Sequence, residues 1–123
     1  MRSGSRMASK VFVCEADLED GGMRGVNVEG RWLLISRHRG EYSALDAACA
    51  HSGAPLFEGS LDPSGAVTCP LHYARFDCRT GEILSRPPIC GDQTVFRIKV
   101  SNGKIFWLKD PSGEAEGFRA GIS

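Results

Sequence analysis

Two short segments near the middle of the chain each pair a cysteine with a histidine: Cys49-Ala50-His51 and Cys69-Pro70-Leu71-His72. Four potential metal ligands on two separate segments constrain the fold, because both segments must meet around whatever they bind. The stretch from about residue 49 to residue 90 is rich in glycine, proline and cysteine and poor in long periodic runs. We therefore expect this stretch to be organised by a bound group rather than by a core of its own.

The composition argues for one domain that binds neither nucleic acid nor membrane. A length of 123 residues suits a single domain, and lysine plus arginine and aspartate plus glutamate both total 15. The longest apolar runs, such as residues 32–35, are far shorter than the roughly 20 residues that span a bilayer. With no secretory signal pattern and an odd number of cysteines, five, the chain is expected in the cytoplasm with reduced thiols.

Short β-prone runs separated by turn residues occupy both ends of the chain. Asn102-Gly103 between alternating apolar residues is a strong hairpin signal, because both residues tolerate positive φ. The one helix candidate is a short turn within residues 15–22. The class is therefore predicted to be all-β. The expected strands are residues 10–14, a meander of 26–28, 31–36 and 42–45 divided at Glu29-Gly30 and Arg39-Gly40, and a hairpin of 95–100 and 104–108.

The residues around the ligand pairs carry a more specific pattern. They read Cys49-Ala-His-Ser-Gly-Ala-Pro-Leu and Cys69-Pro-Leu-His-Tyr-Ala-Arg-Phe-Asp, and with them the chain resembles the Rieske ferredoxin family over roughly residues 10–108. The resemblance implies an antiparallel β-sandwich with a small cluster-binding subdomain inserted between its sheet-forming ends. It also implies one [2Fe-2S] cluster, with Cys49 and Cys69 on the inner iron and His51 and His72 on the outer iron, where electrons leave.

This interpretation divides the chain into an N-terminal tail (1–9), a Rieske domain (10–110) and a C-terminal tail (111–123). The cluster-binding subdomain is expected at about residues 47–90. Cys₂His₂ is also a common ligand set for structural zinc, but the spacing here fits zinc knuckles and ribbons badly.

Two departures from the high-potential branch of the family predict a low reduction potential. That branch has a disulfide between the two ligand loops, but Ala54 and Leu71 occupy the corresponding positions here. It also has serine and tyrosine hydroxyls near the cluster, which are replaced by Ala74 and Phe76. Because fewer donors stabilise the negative charge of the reduced cluster, we expect a potential near the lower end of the range of about −150 to +300 mV.

The resemblance implies a carrier of electrons rather than an enzyme. Once His51 and His72 are assigned, only His38 remains, and no second iron site or nucleotide-binding glycine motif is present. The chain is expected to be a monomeric ferredoxin that takes one electron from a flavoprotein NAD(P)H-dependent reductase and passes it to a terminal oxygenase. Alternatives are a Rieske-like small subunit of a larger reductase of the nitrite-reductase type, and a structural zinc or redox-sensing module. The expected docking tip comprises Pro55, Leu56, Leu71 and Pro87, around the two histidines.

The remaining reactive side chains receive structural interpretations. Cys14, Cys78 and Cys90 are interpreted as small buried apolar residues. His38 is expected to be exposed in a charged turn. Arg75 is expected to be a solvated surface residue, with Asp77, Glu58 or a partner carboxylate as its possible ion-pair partners. Residues 85–89 resemble the proline-containing loop that covers the cluster in the family.

Overall fold

The computed structural model describes residues 9–71, 73–85 and 90–109, and in these residues the fold is built from ten strands. They form three antiparallel sheets, with the strand orders β1-β10-β9, β2-β3-β4-β8 and β5-β6-β7. Within these ranges no helix has the length and apolar character needed to cross a membrane. The strands are β1 (Ser9–Glu15), β2 (Met23–Val28), β3 (Arg31–His38), β4 (Glu41–Asp46), β5 (Ser60–Leu61), β6 (Ala66–Thr68), β7 (Arg75–Asp77), β8 (Val95–Phe96), β9 (Ile98–Ser101) and β10 (Lys104–Lys109).

Three two-residue turns connect neighbouring strands, and each has a glycine in second place. The turns are Glu29-Gly30, Arg39-Gly40 and Asn102-Gly103, and all six residues have positive φ. Positive φ at both central residues is typical of the type I′ turn, whose twist matches that of the flanking strands. The meander and the C-terminal hairpin predicted from these dipeptides are both confirmed.

The predicted strand at residues 95–100 is divided between two sheets. Val95 and Phe96 pair with β4, whereas residues 98–101 pair with β10, and the change occurs at Arg97. One extended segment therefore joins the sheet β2-β3-β4-β8 to the sheet β1-β10-β9. Between these sheets lies a buried core to which Leu33, Ile35, Phe96 and Trp107 contribute.

The central strands β3 and β4 are buried on both faces. Leu33 and Ile35 of β3 face the core just described, whereas Leu34 belongs to a second core together with Leu45 of β4. An apolar run such as residues 32–35 is typical of a strand that is covered on both sides. The second core also contains Cys49 and Cys69, so both ligand segments pack against one face of the central sheet.

The small sheet β5-β6-β7 lies within the glycine- and proline-rich segment that was predicted to be an insertion. The all-β class is confirmed. The predicted helix within residues 15–22 is wrong, since Glu15 ends β1 and the following residues form a bend, an irregular stretch and a turn. Among the described residues a 3₁₀ turn occurs instead at Leu56–Glu58. The proposed domain boundaries at residues 9, 47, 90 and 110 stay predictions, and residues 1–8 and 110–123, which include most of both predicted tails, lie outside the described residues.

Candidate metal centre

The two ligand segments form loops with the same backbone hydrogen bonds. In the first loop Cys49 N donates to Ala54 O (2.9 Å) and Gly53 N donates to Cys49 O (2.7 Å). In the second loop Cys69 N donates to Ala74 O (2.8 Å), and the amide four residues after Cys69 donates to Cys69 O (3.1 Å). Each cysteine is therefore fixed at the start of a closed loop of matching length.

The fifth position of each loop requires a left-handed backbone. Gly53 occupies it in the first loop with a φ of 78°, and Tyr73 occupies it in the second with a φ of 63°. Glycine adopts this conformation readily, whereas a bulky residue does so at a cost of about 1–3 kcal/mol. The second loop therefore retains a strained tyrosine whose side chain is 70 % exposed.

Both cysteine sulfurs lie under the surface and close to hydrogen-bond donors. Cys49 is 3 % exposed and Cys69 is fully buried. His51 N donates to Cys49 Sγ at 3.3 Å, and Ser52 Oγ lies 3.4 Å from Cys69 Sγ. Since Ser52 belongs to the first loop and Cys69 to the second, this contact joins the two loops.

The two apolar residues at the positions of the missing hydroxyls are buried. Ala74 and Phe76 have no exposed surface and lie in the same core as the two cysteines. Neither side chain has a hydrogen-bond donor, so the second core surrounds the sulfurs with apolar atoms on this side. This arrangement agrees with a cluster that has few hydroxyl donors.

The predicted docking tip is partly wrong. Leu56 is fully buried, because the 3₁₀ turn directs it into the second core. Leu71 is 55 % exposed, as expected, and His51 is exposed in the first loop. His72 and Pro87 lie outside the described residues, as does most of the predicted covering loop.

The side chain of Gln93 binds the backbone of the first loop on both sides of Cys49, a role that the sequence did not reveal. Its side chain is 1 % exposed; its Nε2 donates to Asp46 O (2.8 Å) and Ala48 O (2.5 Å), and Ala50 N donates to its Oε1 (2.8 Å). One amide thus satisfies three backbone groups on both sides of Cys49. No periodic pattern surrounds this glutamine, so only its position as a lone amide between Asp92 and Thr94 could have drawn attention to it.

An ion pair joins β7 of the small sheet to the turn between β5 and β6. Arg75 is a surface residue, as predicted, with 43 % of its side chain exposed, but it pairs with Asp62 at 3.0 Å rather than with Asp77 or Glu58. The Ser64 hydroxyl, the Ala66 amide and the Arg75 guanidinium hold the pKa of Asp62 well below its ordinary value. Both side chains of the pair remain partly exposed, so the ion pair itself contributes little to stability.

His38 is buried, which contradicts the expected exposure. The residue is 8 % exposed, and its Nε2 lies 2.9 Å from Pro63 O. The ring packs over Gly65, where a Cβ atom would approach Cε1 of His38 to 2.9 Å. Because glycine has no side chain, the end of β3 can lie directly against the turn between β5 and β6.

The three remaining cysteines differ in burial. Cys78 is 1 % exposed and lies in the second core, as predicted, and burial raises the pKa of its thiol. Cys14 and Cys90 are only half-buried, so their assignment as buried residues was wrong. Burial is also the main cause of the raised pKa of Cys90, followed by charge on the nearby Cys49.

The cysteine and histidine side chains of the two loops are arranged more like the ligands of a Rieske cluster than like ordinary packed core residues. The thiols of Cys49 and Cys69 are buried and each lies within hydrogen-bond distance of a donor, whereas the His51 imidazole is exposed. This arrangement matches a centre whose cysteines bind an inner iron and whose histidines bind an outer iron. Over residues 9–71, 73–85 and 90–109, no three side chains of the His, Cys, Asp and Glu types converge as a metal site. His72 is not among these residues.

Comparisons with known proteins give a consistent result. A family profile described as Rieske [2Fe-2S] domain matches residues 9–109. The chain is 36% identical over 99 residues to a 3-phenylpropionate/cinnamic acid dioxygenase ferredoxin subunit from Photorhabdus laumondii, covering 80% of this chain and 92% of the relative. It is 33% identical to the ferredoxin component of naphthalene 1,2-dioxygenase/salicylate 5-hydroxylase systems from Ralstonia sp., covering 75% of this chain and 86% of the relative.

A solved structure has the same fold. It is titled as a complex of reduced oxygenase and oxidized ferredoxin in carbazole 1,9a-dioxygenase, and its matching chain is 31% identical with a TM-score of 0.74. The match covers 86% of this chain and 94% of that chain.

Proposed function

Because the chain belongs to the Rieske [2Fe-2S] family and has one such cluster, we propose that it is the ferredoxin of an oxygenase system and transfers single electrons to a terminal oxygenase. The observation that supports this role most directly is the near full-length match to ferredoxin components. The cluster supplies reversible uptake of one electron. A flavoprotein NAD(P)H-dependent reductase is the proposed donor. We also propose that the protein acts as a monomer in the cytoplasm, where Cys14, Cys78 and Cys90 would stay reduced.

We propose that Cys49 and Cys69 bind the inner iron and that His51 and His72 bind the outer iron. The buried thiols, the paired loops and the donors to both sulfurs support the cysteine assignments. The exposure of His51 supports a position at the protein surface, from which an electron can reach a partner. Because neutral imidazoles bring less negative charge to the outer iron than thiolates would, reduction is favoured there.

Metal and sulfide analysis with spectroscopy tests these assignments. We expect two irons, two sulfides and no zinc per chain, with an electron paramagnetic resonance signal that develops on reduction with dithionite. Cys69→Ser should lose this signal, whereas Cys14→Ser should keep it, because Cys14 lies half-buried on β1 and away from both loops. A colourless wild-type protein with one zinc would contradict the proposed function.

The surface around the ligand loops is suited to brief docking. Leu71 and Tyr73 are 55 % and 70 % exposed and flank His72 in the sequence. Residues 47–56 and 69–74 contain no aspartate, glutamate, lysine or arginine. We therefore propose that the oxygenase contacts this face chiefly through apolar groups, so that association depends only weakly on salt.

Tyr73→Asn tests this docking face. Asparagine tolerates positive φ, so the loop backbone is preserved while the exposed ring is removed. We expect about tenfold weaker association with the oxygenase, the effect of one interface anchor, with an unchanged cluster spectrum. Phe12→Thr is the matched control, because Phe12 is 49 % exposed on β1, in a sheet that holds neither loop. Equal affinity for Tyr73→Asn and wild type would disprove the proposed face.

A further inference from the structure

We infer that Ser52 tunes the reduction potential of the cluster by donating a hydrogen bond across the two loops to the Cys69 sulfur. This inference rests on the proposed assignment of Cys69 as a ligand. It gives a function to the serine between His51 and Gly53 that the ligand pattern leaves without one. The contact is Ser52 Oγ to Cys69 Sγ at 3.4 Å.

The direction of this hydrogen bond follows from the other contact of the hydroxyl. Ala54 N donates to Ser52 Oγ at 3.2 Å, so the oxygen already acts as an acceptor on that side. A hydroxyl has one proton to donate, and a metal-bound cysteine is a thiolate that can only accept. When Cys69 is a ligand, the proton of Ser52 is therefore directed at its sulfur.

The location of the contact makes it effective. Cys69 has no exposed surface, and Ala74 and Phe76 close the core on another side. A hydrogen bond to a charged sulfur is stronger in such surroundings than in water. Since the cluster gains negative charge on reduction, the donor stabilises the reduced state more than the oxidised state and raises the potential.

The two sulfurs differ in how a substitution can affect them. Cys49 Sγ receives the His51 backbone amide, which every side-chain variant retains. The contact of Ser52 with Cys69 comes from a side chain of the opposite loop, so it can be altered without changing a ligand. Ser52 therefore partly replaces the hydroxyl donors that are missing at positions 74 and 76.

The test is the reduction potential of the purified holoprotein, measured by a titration followed with electron paramagnetic resonance. For Ser52→Ala we expect the equilibrium constant for reduction to fall by up to about tenfold, which for one electron is about 59 mV. Ser52→Thr, which keeps the hydroxyl, should restore most of the wild-type potential. Ser64→Ala is the control, because its hydroxyl binds Asp62 at the turn before β6, at the end of that strand opposite to Cys69.

The possible outcomes separate this inference from the proposed function. A wild-type potential in Ser52→Ala, with full iron content, would overturn the role of Ser52 and leave the electron carrier intact. A lowered potential in both Ser52→Ala and Ser52→Thr would also overturn it, because the effect would then come from the loop backbone. A wild-type protein without a [2Fe-2S] signal would instead refute the proposed function.

Discussion

Replacing Gln93 by leucine should loosen the first ligand loop and release the cluster faster. The change removes an amide that binds Asp46 O, Ala48 O and Ala50 N but keeps a side chain of similar size in a site that is 1 % exposed. Each of the three backbone groups then lacks its partner. Leaving a buried polar group unpaired costs about 1–3 kcal/mol.

The lower end of that range applies here, because residues 48 and 50 are exposed and water can reach their part of the loop. For the three unpaired backbone groups together, the free energy of unfolding should fall by about 3 kcal/mol. For a domain of this size the midpoint of thermal unfolding should fall by roughly 10–20 °C. Because the three contacts flank Cys49, we also expect faster loss of visible absorbance in the presence of an iron chelator.

Two further variants sharpen the test. Gln93→Glu has the same shape but brings a carboxylate towards two carbonyl oxygens, so it should also destabilise the protein at neutral pH. The difference in unfolding free energy between Gln93→Glu and wild type should shrink as the pH is lowered, since a protonated acid can donate to one carbonyl. Asn27→Ala is the control, because Asn27 Oδ1 accepts one exposed hydrogen bond from Gly30 N in the β2–β3 turn. If Gln93→Leu matched wild type in both thermal midpoint and cluster release, the assigned role of Gln93 would be refuted.

Two other predictions concern the contacts beneath the small sheet. Since the pKa of Asp62 is lowered by folding, its contribution to stability is present above its unfolded pKa of about 3.9 and is lost as the pH falls. The difference in unfolding free energy between wild type and Asp62→Asn, measured with denaturant, should be constant from pH 7 to about 4.5 and shrink below that; a constant difference at lower pH would contradict this. Gly65→Ala should cost about 2–4 kcal/mol, because the residue has a φ of +93° and its Cβ would meet the His38 ring. Gly30→Ala, with a φ of +87° and no atom within 4 Å, should show the backbone cost alone, and equal losses in the two variants would argue against the contact with His38.

The sequence alone was sufficient for the strands of the meander and of the C-terminal hairpin, for their turns and for the choice of candidate ligands, because each has a local signal; it did not predict the three short strands of the small sheet. Asn102-Gly103 specifies its turn through the conformations that these two residues tolerate. The Cys-x-His and Cys-x-x-His patterns, with their flanking residues, pointed to the family and its cluster. Each of these signals is contained in a few consecutive residues.

The side chains that surround and position the candidate ligands are set by tertiary contacts. Gln93 binds backbone groups that are 43, 45 and 47 residues away, and no pattern in the sequence brings them together. The burial of His38 and Leu56, the Arg75–Asp62 pair and the Ser52–Cys69 contact likewise depend on how the small sheet and the loops pack on β3 and β4. Local chemistry thus pointed to the candidate ligands, whereas long-range packing decided which side chains surround them, because only the folded chain brings distant residues into contact.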